Sequence, residues 1–250
     1  QRVAELISSD PGLVAQLLRV VNSAYYALPS QIVKVQYAIV FLGLSEVYRM
    51  VLSLSVIDAL GIKEKHELKE FWFHSFYAAL CTKYLAKKYE PHLSFEELWS
   101  AAILHDIGKL VYLKFFPEHY KALRSFCKEH GCLFSEAESH FSLPPTAFLG
   151  TLLCGHWRLP DQIRSACESH TLKDLPGIEG DSPSACFRRM ICLGNLLTVL
   201  CTEELNNATR HEIADATRTA LDCTEPQFLT MMGDIYELRI DVERFMDQLR

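Results

Sequence analysis

Apolar residues recur three and four positions apart along almost the whole chain, and no stretch of useful length alternates as a half-buried strand does. That pattern restricts the fold to packed helices, and the punctuation agrees. Asp10-Pro11 supplies an N-cap and a first-turn proline ahead of Leu13, Val14, Leu17, Leu18 and Val21. Further helices are expected over about 31–42 and 45–61, with Gly43 and Gly61 at their ends. The stretch 62–69 is short and charged and reads as a hinge. Helices then follow over about 70–89, 94–108, 117–131, 145–157, 160–170, 183–201, 210–221 and 226–248. Ser94 with Glu97 forms a capping box, and Ser182 and Thr224 are N-caps. The expectation is an all-α, two-lobed protein: an N-terminal helical lobe over 1–66 and a helical bundle over 67–250. No internal repeat or low-complexity tract interrupts it.

Charge and composition exclude several functions. Asp and Glu number 31 against 25 Lys and Arg, and the net charge of -6 offers no footprint for nucleic acid or for an anionic membrane. No apolar stretch is expected to reach the ~18–20 residues that span a bilayer, and no signal peptide is seen. The chain starts at Gln1 inside a helical pattern, so a fragment of something longer is expected. Nine cysteines, an odd number without a CxxC pair, read as small buried hydrophobes in a reducing cytoplasm. Phosphate loops, GxSxG, HExxH and GxGxxG motifs do not occur. The small residues of 150–155 suit close helix packing.

The sharpest chemical signal is the pair His105-Asp106 at the end of an apolar face, Ala101 to Leu104. An imidazole beside a carboxylate suits a divalent metal of intermediate hardness, and also suits a structural ion pair. A buried Asp needs a cation, a metal or several donors. The second signal is His74 among Phe71, Trp72 and Phe73, where a satisfied core histidine is the commoner explanation. His156 and His170 read as capping or surface residues in the last turns of their helices. Asn22-Ser23 marks either a groove or, preferably, a helix cap before Ala24, Tyr25 and Tyr26.

Together, His74 followed by His105-Asp106 resembles the HD superfamily of metal-dependent phosphohydrolases. That resemblance implies a final Asp ligand on a late helix, and Asn195 stands where it is expected. The implied ligand set is therefore His74, His105, Asp106 and a weak Asn195 for one divalent metal (Fe, Mn or Zn). A neutral amide oxygen binds a cation less well than a carboxylate and leaves metal-bound water less acidic. The chain is most similar to the HDOD (HD-related output domain) signalling branch. Ser9-Asp10-Pro11-Gly12-Leu13, Leu17 through Ala24, Ala38 through Gly43, and Leu149-Gly150 through Pro160 carry that likeness over the first ~200 residues. HD-GYP phosphodiesterases add a His and a His-His pair; their counterparts here are Thr146 and His170-Thr171, so a multi-metal site for cyclic dinucleotides is not expected. The resemblance implies a non-catalytic bacterial signalling module acting through a protein partner or a fused regulatory domain, with a homodimer open. It offers an apolar groove or a helical dimer face. The alternative is a one-metal phosphohydrolase with Lys109 near a substrate phosphate.

Overall fold

In the computed structural model, which describes residues 4, 7–23, 26, 28 and 30–248, every regular element among the described residues is a helix. The HDOD-like positions Ala24 and Tyr25 lie outside the described residues. Two compact units emerge: Gln1–Gly61 with Arg239–Arg250, and Ile62–Leu238. The first division falls a little ahead of the one drawn from sequence, because the charged hinge already starts a helix at Lys65.

The first unit contains α1 (Pro11–Val21), α2 (Val35–Leu42) and α3 (Leu44–Ala59), all in mutual contact. The Asp10 carboxylate accepts from Leu13 N at 3.0 Å and caps α1. Asn22 ends α1 as expected of a cap. Its amide donates to the Leu18 and Ile32 carbonyls at 2.7 and 2.8 Å and accepts from Ile32 N at 2.7 Å. Leu17, Val20, Val21, Ala38, Val47 and Met50 form the core.

The second unit contains α4 (Lys65–Tyr89), α5 (Phe95–Leu104), α6 (Ile107–Phe115), α7 (Pro117–His130), α8 (Phe134–His140), α9 (Thr146–Trp157), α10 (Asp161–Glu168), a 3₁₀ turn (Leu175–Gly177), α11 (Pro183–Thr202) and α12 (Asn207–Ala220). The last helix, α13 (Glu225–Gln248), begins in this unit, and its final turns group with the first. Helices α4, α5 and α11 pack on one another, α10 packs on α5 and α9, and α9 packs on α6. Tyr77, Leu85, Trp99, Ile103, Leu104, Ile107 and Leu110 are fully buried, each large apolar side chain contributing about 1.5–3 kcal/mol. Two glycines set the close crossings. A side chain at Gly194 on α11 would strike Thr82 on α4, and one at Gly108 on α6 would strike the Thr146 and Gly150 backbone of α9.

Three expectations need correction. The helix begun at Ser94 does not run on to Gly108. It stops at Leu104, and a new helix starts at Ile107, because Asp106 leaves the helical conformation (φ -101, ψ 15) and takes the N-cap position of α6. The helix expected over 160–170 ends at Glu168, so His170 is not in its last turn. By length and composition, Pro183–Thr202 is apolar enough to cross a membrane, against the sequence reading. It is the central core helix of its unit, with 67% of its most apolar window buried, which is why its pattern carries few charges. Phe134–His140 was not anticipated. Its polar sequence lacks a capping side chain at its start, and Glu136 reaches back instead to accept from Leu133 N at 2.8 Å.

Candidate metal centre

The break between α5 and α6 is what builds the site. Turning the chain after Leu104 points His105 and Asp106 into the core, 1% and 2% exposed. α4 brings His74 and α11 brings Asn195 to the same point. His74 Nε2 lies 3.4 Å from His105 Nε2 and 3.3 Å from Asp106 Oδ2, and His105 Nε2 lies 3.4 Å from that same oxygen. Ligand atoms of His74, His105 and Asp106 all fall within 4.8 Å of one another, close enough to converge on one ion. Of the four residues named from sequence, all four meet here.

Two further residues complete the centre. Lys109, one turn into α6, donates from Nζ to Asp106 Oδ2 at 2.5 Å. It pairs with the carboxylate at the edge of the centre. His170, just past α10, is 3% exposed, and its Nε2 lies 3.2 Å from Asp106 Oδ1. This overturns its reading as a surface group, while its Nδ1 does cap the last-turn carbonyl of Cys167. The sequence held a signal for it: Ile163, Ala166, Cys167 and His170 follow the i, i+3, i+4, i+7 spacing of one buried face. His156, read the same way, is indeed exposed at the end of α9.

The hydrogen bonds fix the ring orientations. His105 Nδ1 donates to the Ala102 carbonyl at 2.6 Å, and His170 Nδ1 donates to the Cys167 carbonyl at 2.8 Å. Both rings turn Nε2 toward Asp106, the orientation that backbone carbonyls impose on metal-binding histidines. His74 is held differently. Asn195 Nδ2 donates to the His170 carbonyl at 2.8 Å, which fixes its Oδ1 as an acceptor 3.0 Å from His74 Nε2. The His74 nitrogen that faces the centre thus carries a proton and donates it to Asn195.

Burial alone would push the Asp106 carboxyl up. The Lys109 charge, the His105 ring and hydrogen bonds from His105 and His170 outweigh it and hold the carboxyl well below the usual carboxylate range. Burial and the Lys109 charge push His74 down, only partly offset by Asp106. His170 is raised: burial lowers it, but the bond to Asp106 and the Asp106 charge prevail. The donor set fits a divalent metal in type, two imidazoles and a carboxylate backed by carbonyls. It fits less well in charge, because Asp106 already has a cation and the fourth position is an amide.

The space beside the centre is small. A cavity of about 50 Å3 lies among Asp106, Lys109, Phe134, Thr146, His170 and Asn195. A separate cleft of about 480 Å3 lies between α4, α7 and the end of α11, with Tyr120, Arg124 and Glu203 in its wall. Arg124 Nη1 grips both Glu203 oxygens at 2.9 and 3.0 Å. No disulfide forms among the described residues, and the cysteines at 81, 127, 154, 167, 186 and 192 are buried.

With this geometry in hand, the likeness to known proteins is informative. The family model described as the HDOD domain matches residues 1–172. A Treponema pallidum (strain Nichols) protein of uncharacterised function is 23% identical over 168 residues, which cover 67% of this chain and 33% of that protein. The chain thus spans about a third of the length of that relative. Among solved structures, a protein from Shewanella amazonensis SB2B, named provisionally as a phosphohydrolase, superposes with a TM-score of 0.71. It is 21% identical and covers 100% of this chain and 87% of its own. A protein from Marinobacter aquaeolei VT8, named provisionally as a signal transduction protein, gives a TM-score of 0.69 at 20% identity, covering 98% of this chain and 54% of its own. At such identities the structural likeness establishes the shared helical fold.

Proposed function

The chain belongs to the HDOD domain family, and from that premise we propose that it is a regulatory module of a bacterial, cytoplasmic signalling protein, acting without catalysis through a protein partner or a fused regulatory domain. The observation that carries this reading is the amide of Asn195. In a phosphohydrolase of the resembled type, a carboxylate at that position would bind the metal and leave the His74 ring nitrogen free to do the same. Here the amide oxygen accepts a hydrogen bond from His74 Nε2 at 3.0 Å, and the amide nitrogen donates to the His170 carbonyl. The position that should add negative charge instead occupies a ligand nitrogen.

Size supports the same reading. Ligand pockets typically enclose ~300–1,000 Å3, and the cavity at the centre offers about 50 Å3. A phosphate ester with its leaving group exceeds that. His74, His105 and Asp106 remain able in type to hold one Fe, Mn or Zn ion, with Asn195 as a weak fourth ligand. A bound metal would supply Lewis acidity there, while the chain's own residues orient the rings through Ala102 and Cys167.

The test is hydrolysis of p-nitrophenyl phosphate, its bis-ester and a cyclic dinucleotide by protein incubated with Mn2+, Fe2+ or Zn2+. We expect no release above that of a His105→Ala variant. Metal-dependent turnover that disappears in His105→Ala would establish the phosphohydrolase reading instead.

A further inference from the structure

Lys109 holds a place that an ordinary surface ion pair does not. Its ammonium donates to Asp106 Oδ2, the oxygen on which the Nε2 atoms of His74 and His105 converge at 3.3 and 3.4 Å. The other oxygen, Oδ1, is taken by His170. The side chain is largely buried, and its ammonium stands 5.1 Å from the centre of the Phe134 ring.

Asp106 is the sole carboxylate among the ligand-bearing residues of the centre, and Lys109 pairs with it. The fourth ligand position is the uncharged Asn195. The buried Glu138 nearby accepts from Thr146 N at 2.8 Å. A divalent ion added to this centre would find the Asp106 charge already paired. It would share Asp106 Oδ2 with an ammonium in a buried, weakly screening site, where like charges repel strongly.

We propose that Lys109 is the built-in counter-ion of the centre and competes with a divalent metal for Asp106, so that metal entry requires the ammonium to leave Asp106 Oδ2. The site is then a cation exchanger whose resting occupant is a side chain. This deepens the regulatory reading, on which it rests only in treating the centre as a binding site rather than a catalytic one.

The experiment is Mn2+ binding by calorimetry to the wild-type chain, Lys109→Gln and Lys109→Arg. Gln keeps a hydrogen bond for Asp106 without the charge; Arg keeps the charge. We expect Lys109→Gln to bind Mn2+ about tenfold or more tighter than wild type, and Lys109→Arg to stay near wild type. We also expect Lys109→Gln to melt lower than wild type in chelator and to gain more from Mn2+. Should Lys109→Gln not fold, acetylation of Lys109 in the wild-type chain, followed by mass spectrometry, should quicken when Mn2+ saturates the protein. Equal affinities, no Mn2+ uptake by any of the proteins, or an unchanged acetylation rate at saturating Mn2+ would overturn the competition. Phosphate-ester turnover by the Mn2+-loaded wild type would sink the regulatory reading while leaving the competition intact.

Discussion

The two units of this chain differ in what they bury: the first buries Glu46 and Ser53, the second a whole cluster of titratable groups. The second unit hides a constellation of charged and polar groups, His105, Asp106, His170 and Asn195, in its interior. Every one of them is hydrogen-bonded to another or to a backbone carbonyl. The first unit keeps its polar tie, Asn22, at a helix end and carries large apolar side chains on the outside. Val40 is 83% exposed, and Tyr37, Phe41, Leu44 and Tyr48 on α2 and α3 are exposed with it. Buried polar networks are worth most when complete and cost most when broken. Exposed apolar side chains add little to stability and much to association. The second unit thus holds a fixed internal arrangement, and the first presents exposed apolar side chains on α2 and α3, as the second does at Phe115, Phe116, Phe148 and Leu152.

The sharpest way to break this contrast is Asp106→Ala. It strands the buried Lys109 charge and the raised His170, and we expect a loss of about 3–5 kcal/mol in denaturant unfolding. A loss below 1 kcal/mol would mean the pairing contributes little.

Asn195→Asp sharpens the comparison within the centre. A carboxylate cannot donate to the His170 carbonyl at 2.8 Å, and it adds a second negative charge. In chelator we expect about 1–3 kcal/mol of destabilisation, reversed by Mn2+, as read from melting curves with and without the metal.

The outer cleft should respond more weakly, and to pH. Burial alone would raise the Glu203 carboxyl, but Arg124 holds it below its usual value. The pair therefore stabilises the fold above the unfolded carboxylate range, about pH 4.3, and that contribution fades as pH falls through the lower folded value. Both side chains are about a third exposed (34% and 31%), so screening limits the effect to roughly 0.5–1 kcal/mol. Stability measured against pH should fall less steeply toward acid in Glu203→Gln than in wild type.

In the first unit, Val40→Asp should change stability by less than about 0.5 kcal/mol, since the side chain is mostly in solvent. Its effect should appear instead as weaker capture of whatever signalling partner the wild-type chain binds. A large loss of stability would show that this residue is part of the core.

Much of the architecture was legible because helix signals are local. Asp10, Ser94 and Ser182 cap helices where the sequence places caps. His74, His105, Asp106 and Asn195 meet because a motif's order along the chain reflects helices that pack on one another. What escaped depends on events between helices. The stop at Leu104 arises where Asp106 leaves the helical conformation at the N-cap position of the next helix, and periodicity runs straight through it. That Lys109 pairs with Asp106 Oδ2 could not be read either, because their spacing says nothing of which oxygen it takes. His170 was read as a helix end although it continues the buried stripe of Ile163, Ala166 and Cys167. The core position of Pro183–Thr202 could not be told from a membrane-spanning pattern by composition, since burial in protein and in lipid select the same residues.

The most direct test of a centre satisfied by its own side chains is thermal unfolding of the wild-type chain before and after exhaustive treatment with a chelator. A domain of this size shifts by about 2–4 °C for each kcal/mol. We expect one cooperative transition that moves by less than about 2 °C, because Lys109 already supplies the cation that Asp106 needs. Loss of the transition, or a fall of ten degrees or more restored by Mn2+, Fe2+ or Zn2+, would contradict it and make the metal an integral part of the fold.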